Sequence, residues 1–177
     1  MRRTGWIYDS RFLEHDTGAH HPERPERLDA LLRGLERSGT LPRLTPLQFS
    51  AADDAALMLN HSADYISRLQ HTCAAMKGYI DAPDSAVCPD SESVARLAVG
   101  GVLAACDAVM RREIDNAFCA VRPPGHHARR ARSAGFCLYN NIALAAQHLR
   151  HHVGRVMILD WDVHHGDGTQ ESFEQDP

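Results

Sequence analysis

Two rhythms of apolar positions run along this chain, and together they lay out its elements. Leu28, Leu31, Leu32 and Leu35 recur at i, i+3, i+4 and i+7, the spacing of an amphipathic helix, with Pro25 suited to its first turn and Gly39 to its stop. Ser62 can cap a second helix through Tyr65, Ile66 and Leu69. Ser91 can cap a long third one reaching about Arg112, whose Ala98, Gly100, Gly101, Ala104 and Ala105 suit close packing. Ser50-Ala-Ala-Asp53 reads as a capping-box variant opening a short helix. Asn140 to His152 reads as a helix with Ile142, Leu144, Ala145 and Leu149 turned inward. The second rhythm is the short continuous apolar run. Trp6–Tyr8 makes a first strand, and Ala117–Val121 and Val156–Leu159 make two that should be buried, while Asp81–Pro89 is a loop by its Pro and Asp content. Strand, helix, strand with near-continuous apolar strands is the mark of a parallel α/β sheet.

Composition narrows the class. At 177 residues, 44% hydrophobic and 24% charged, the chain has room for one domain with a sizeable core. A net charge of −4 argues against bulk nucleic-acid binding. No stretch of about 18 apolar residues marks a membrane span. The N-terminus is basic but lacks the apolar segment of a secretory signal. Cys73, Cys88, Cys106, Cys119 and Cys137 are scattered and odd in number, which fits reduced, mostly buried thiols in a cytoplasmic protein. The 12 histidines are unusual for their clustering, at 15–21, 126–127, 148–152 and 164–165.

The chemistry concentrates in Ile158-Leu-Asp-Trp-Asp-Val-His-His-Gly-Asp-Gly-Thr-Gln170, directly after an apolar run. Alternate residues of a strand share a face, so Asp160, Asp162 and His164 can converge, and Asp162 with His164 offers one oxygen and one nitrogen to a divalent ion such as zinc. Asp160 and Asp167 remain to orient imidazoles. His126 and His127, after the Pro-Pro-Gly turn, can supply a general base and a general acid. Gly135 can admit a ligand close to the backbone and Phe136 can wall a narrow channel, or Phe136 can simply pack in a core. Arg129, Arg130 and Arg132 read as a solvated basic run, and His148, His151 and His152 as cations at a helix C-terminus. Both histidine-bearing segments follow the C-terminal ends of expected strands, where ligand sites of open parallel sheets lie.

In order, His20-His-Pro-Glu-Arg-Pro-Glu-Arg-Leu28, Arg122-Pro-Pro-Gly-His-His-Ala128, Gly135-Phe-Cys137, Asn140-Asn141 and Asp160-Trp-Asp-Val-His-His-Gly-Asp-Gly-Thr-Gln170 closely resemble the zinc-dependent histone deacetylase family, its class II and bacterial members above all, with the acetylpolyamine amidohydrolases among its relatives. The resemblance implies an arginase-deacetylase α/β fold, three-layered with a mainly parallel central sheet, over residues 1–177 as one domain. It implies zinc on Asp162 and His164, and a catalytic tandem of His126 and His127 backed by Asp160 and Asp167. It further implies Gly135 and Phe136 on the acyl-lysine channel, and a monovalent-cation (K+) site around Asp160, Asp162 and His164. The expected substrates are acetyl-lysine in proteins or peptides, or acetylated small amines, hydrolysed by metal-activated water. The family's third zinc ligand, an Asp, and its transition-state Tyr come later in longer chains. The chain is therefore expected to be the N-terminal part of such a protein with its sheet incomplete, or else a remnant acting as a binding or partner-completed module.

Overall fold

The computed structural model describes residues 2–176. Strand β1 (Thr4–Ile7) lies at the centre of a three-stranded, all-parallel sheet ordered β2-β1-β3, with β2 at Thr45–Pro46 and β3 at Asn116–Cys119. The register sets Gly5 opposite Thr45 and Trp6 opposite Phe118. Parallel neighbours need long crossovers, and the helices α1 (Glu26–Arg37), α2 (Asp54–Leu57), α3 (Ala63–Ala74) and α4 (Ser91–Met110) occupy them. α5 (Asn141–Arg150) and α6 (Asp167–Phe173) follow β3.

α4 is shared by both halves of the core. Val94, Leu97 and Ala98 pack with Trp6, Phe12, Leu28 and Ala120. On another face, Ala95 and Val99 join Leu57, Tyr65, Leu69, Leu138 and Leu144. α4 is long and apolar enough to cross a membrane by length and composition, but β1, β3, α3 and α5 take up its apolar surface here. The apolar rhythm places α1, α3 and α5 correctly. Ser62 Oγ accepts the Tyr65 N–H at 3.3 Å, and Asn140 Oδ1 accepts the Ala143 N–H at 3.0 Å.

Several expectations need correction. Val156–Leu159 is not a buried strand: no strand lies beside it among the described residues, so Met157 and Leu159 stand 86% and 70% exposed. Ala117–Val121 contributes β3, which is an edge strand among the described residues, with Phe118 41% exposed. Ile142 faces outward, while Ala143 to Ala146 carry the inner face of α5. Asp53 rather than Ser50 caps α2, its carboxylate accepting the Ala56 N–H at 2.8 Å. Ser91 is the first residue of α4, and its hydroxyl meets the Cys88 N–H at 2.8 Å and His15 Nδ1 at 2.7 Å instead of capping.

Two imidazoles are built into the interior. Burial pushes His61 down to about 4, and its contacts require the neutral ring: Nδ1 donates to the Arg129 carbonyl at 2.9 Å while Nε2 accepts the Asn140 N–H at 2.9 Å. Burial likewise pushes His15 down to about 4, outweighing the upward pull of Glu23. The unfolded chain takes up these protons near pH 6.5 and the folded chain only near 4, so stability is full above that upper value and falls as pH drops through the window. Each ring accounts for about 3 kcal/mol of this loss at its end. Denaturant titrations at pH 7.5, 6.0 and 4.5 should show a progressive fall in midpoint, and an unchanged midpoint across that range would refute the assignment.

Candidate active site

Beyond β3 the chain leaves the sheet at Ala120 and must carry two adjacent histidines without the support of a helix or strand. It is held by side chains from elsewhere. Arg122 is fully buried; its guanidinium donates to both oxygens of Glu23, at 2.6 and 2.9 Å, and to the Phe12 carbonyl at 2.8 Å. Farther along, Asn140 Nδ2 donates to the Ala128 carbonyl at 3.1 Å, and the Thr169 N–H of α6 donates to the His126 carbonyl at 3.0 Å.

The two imidazoles then meet two carboxylates. His126 Nδ1 lies 2.9 Å from Asp160 Oδ2, and His127 Nδ1 lies 2.7 Å from Asp167 Oδ1. In the neutral rings the Nδ1 proton belongs in these bonds, which turns Nε2 away from the carboxylates. Partial burial pushes the Asp167 carboxyl up, but hydrogen bonds from Arg129 and His127 outweigh it and hold the group at about 2. Burial also raises Asp160, and bonds to His126 and to the Asp162 N–H outweigh it, leaving it below the usual carboxylate range.

Asp160, Asp162 and His164 are linked in successive pairs, and not by strand alternation. Each aspartate turns the backbone locally: Asp160 Oδ1 accepts the Asp162 N–H at 3.1 Å, and Asp162 Oδ1 accepts the His164 N–H at 2.8 Å. His164 Nδ1 then lies 3.1 Å from the same Asp162 oxygen. A cavity of about 500 Å³ brings together His126, His127, Asp162, His164, Gly135 and Phe136, with Pro22, Glu23, Arg27 and Asp84 on its wall. One carboxylate and one imidazole on that wall suit a borderline divalent ion, so the donor set fits zinc as part of a ligand shell. Among the described residues no third His, Cys, Asp or Glu joins them in metal-binding geometry.

Gly135 and Phe136 sit in a left-handed turn that is unstrained at the glycine and strained at Phe136. Both have positive φ, +52° and +69°, and the Cys137 N–H closes the turn on the Ala134 carbonyl at 2.9 Å. The Phe136 ring meets the edge of His21 with centroids 4.7 Å apart. His21 is pinned in turn by contacts to the Glu23 and Asp84 carbonyls. A Cβ on Gly135 would lie 2.2 Å from His127 Cδ2, so the glycine is also the seat of the imidazole. Gly166 does the same for the other dyad: its Cβ would lie 2.5 Å from Asp160 Oδ2.

The histone deacetylase domain family matches residues 21–177. The crystal structure of the HDA15 HD domain superposes with a TM-score of 0.93 at 35% identity, covering 99% of this chain and 52% of that one. The chain belongs to the histone deacetylase family. Its fold is accordingly of the arginase-deacetylase type. Among the relatives of this deacetylase-family chain are the polyamine deacetylase HDAC10 of Mus musculus, 44% identical over 88% of this chain and 24% of its own, and the histone deacetylase-like amidohydrolase of Pseudomonas aeruginosa, 39% identical over 97% of this chain and 50% of its own. The chain spans at most about half the length of these relatives.

Sequence reading missed four residues of this deacetylase-family site. Arg129 is not simply solvated, since it donates to Asp167 at 2.7 Å. His61 bears on the site through a contact 68 positions away that leaves no local pattern, and Glu23 and Arg122, though both lie in the motifs, pair with each other across 99 positions that no motif spans. Tyr65 and Tyr139 are buried and bonded to the Leu138 carbonyl and to Glu92, away from the cavity. Gly135→Ala is expected to cost more than about 1 kcal/mol and to displace the His127 ring. A crystal structure of that variant with His127 still 2.7 Å from Asp167 would contradict this reading.

Proposed function

We propose that this chain forms the proton-transfer half of a zinc-dependent deacetylase that hydrolyses the amide of acetyl-lysine or of an acetylated small amine. The observation that carries the reading is two imidazoles, each backed by a carboxylate, facing one cavity with an oxygen and a nitrogen donor. Asp162 and His164 would hold zinc together with a donor outside this pair, brought by polypeptide packed on the uncovered face that bears Leu159, Trp161 and Val163. Bound zinc supplies Lewis acidity toward a carbonyl oxygen and a water.

The rest falls to the chain's own side chains. His127 Nε2 takes the proton of the attacking water, and Asp167 stabilises the imidazolium across the 2.7 Å bond. The proton collected at His127 Nε2 then passes to the departing amine nitrogen as the C–N bond breaks, with His126 and Asp160 completing the tandem beside it, the two rings 4.1 Å apart. Products are acetate and the free amine. Phe136 and His21 form an aromatic wall that suits the methylene stem of lysine or of a polyamine, and Gly135 keeps that wall close to His127. The oxygens of Asp160 and Asp162, with the nearby backbone, are where we place a K+-type cation that stiffens the turn.

His127→Ala should lower kcat on an acetyl-lysine peptide by about 10²- to 10⁴-fold while the zinc content of the protein is retained. Chelation should abolish hydrolysis and added zinc restore it. Turnover by His127→Ala at the wild-type rate would overturn the assignment. Side-by-side assays of acetyl-lysine peptide and acetylated polyamine decide between the two substrate classes, the second of which the polyamine deacetylase relative favours.

A further inference from the structure

We propose that Arg129 is a positioning residue for His127, acting through Asp167; the inference rests on the reading of His127 as the base. The Asp167 carboxylate is shared. Oδ1 takes the His127 ring at 2.7 Å, and Oδ2 takes Arg129 Nη2 at 2.7 Å. A carboxylate torsion is broad and roughly two-fold, so one bond to an imidazole does not fix its plane. With a guanidinium on the second oxygen, any rotation breaks a charge-assisted bond, and the plane that aims Nδ1 is set.

Arg129 is itself anchored at three points. Its N–H donates to the Arg132 carbonyl at 2.8 Å, its carbonyl accepts from buried His61 at 2.9 Å, and its Nη1 lies 3.4 Å from Glu171 on α6. Glu171 is one turn beyond Asp167, so the guanidinium spans two acids on one face of a seven-residue helix. The orientation of His127 is thus carried from the buried imidazole of His61 through Arg129 to Asp167.

The other dyad is built differently. Asp160 holds His126 with Oδ2, and among the described residues its Oδ1 receives the Asp162 N–H at 3.1 Å and no Arg or Lys side chain. The two carboxylates therefore differ in what holds them, an arginine side chain for Asp167 and local backbone for Asp160. Loss of Arg129 should reach His127 and leave His126 untouched.

The test is proton NMR of the chain with 15N-labelled histidine, with the His127 Nδ1–H resonance assigned by its loss in His127→Gln. In Arg129→Gln that resonance should broaden or vanish while the His126 resonance stays, and Arg129→Lys should restore it in part. In the zinc-loaded enzyme, Arg129→Gln should lower kcat by about 10- to 100-fold with KM unchanged. An unaltered His127 resonance in Arg129→Gln would overturn the proposal. A lost resonance with unchanged kcat would support the positioning and remove His127 from the reaction, which separates this inference from the one beneath it.

Discussion

The Arg122–Glu23 ion pair, 1% and 3% exposed, is the contact on which the rest of the site depends. Two charges taken out of water are tolerated only when paired and hydrogen-bonded throughout. Here Nε and Nη2 meet the two carboxylate oxygens, and Nη1 donates to the Phe12 carbonyl. Removing one partner would strand the other, at a cost of about 3–5 kcal/mol. The pair ties the segment before α1, which forms a wall of the cavity, to the start of the segment that carries the two histidines. Wall and histidines are therefore one unit. His15 sits 3.7 Å from Glu23 and touches Ser91, which brings the first turn of α4 into the same unit.

From that anchor the chain runs to Arg129 without regular structure, and three of its carbonyls find partners farther along or back in the chain. Ala128 and Arg129 offer carbonyls to Asn140 and His61, and His126 offers its own to Thr169. Such bonds satisfy backbone that would otherwise be buried unpaired, and they also remove the freedom that would blur the imidazole positions. The missing side chain at Gly135 finishes the fit, because the space a methyl would fill is taken by the His127 ring. Stability and chemistry share the same contacts here.

Helices α1, α3 and α5 were legible because a half-buried helix must repeat its apolar residues near every 3.6 positions, and Ser62 and Asn140 cap where such residues should. The dyads were legible because the aspartates lie within the one dense polar block and the histidines within the other. The family match over residues 21–177 agrees with the resemblance carried by those two blocks. What escaped has a common cause. An apolar run such as Val156–Leu159 encodes a preference for burial but not the neighbour that would satisfy it. Ser91 looks like a cap from its neighbours in sequence, yet His15, 76 positions away, claims its hydroxyl. Arg129 sits in a basic run that reads as solvated surface, and only its approach to Asp167, 38 positions on, shows otherwise.

The central claim is that this chain presets both imidazoles, with Nδ1 committed to a carboxylate and Nε2 left for the cavity. Long-range nitrogen–proton correlation spectra of the histidine rings at neutral pH read this tautomer directly. The account predicts the Nδ1–H form for His126 and His127 whenever the rings are neutral, and the same form for His61, whose Nε2 must accept the Asn140 N–H. A neutral His127 carrying its proton on Nε2 could not take one from water, and that result would contradict the account.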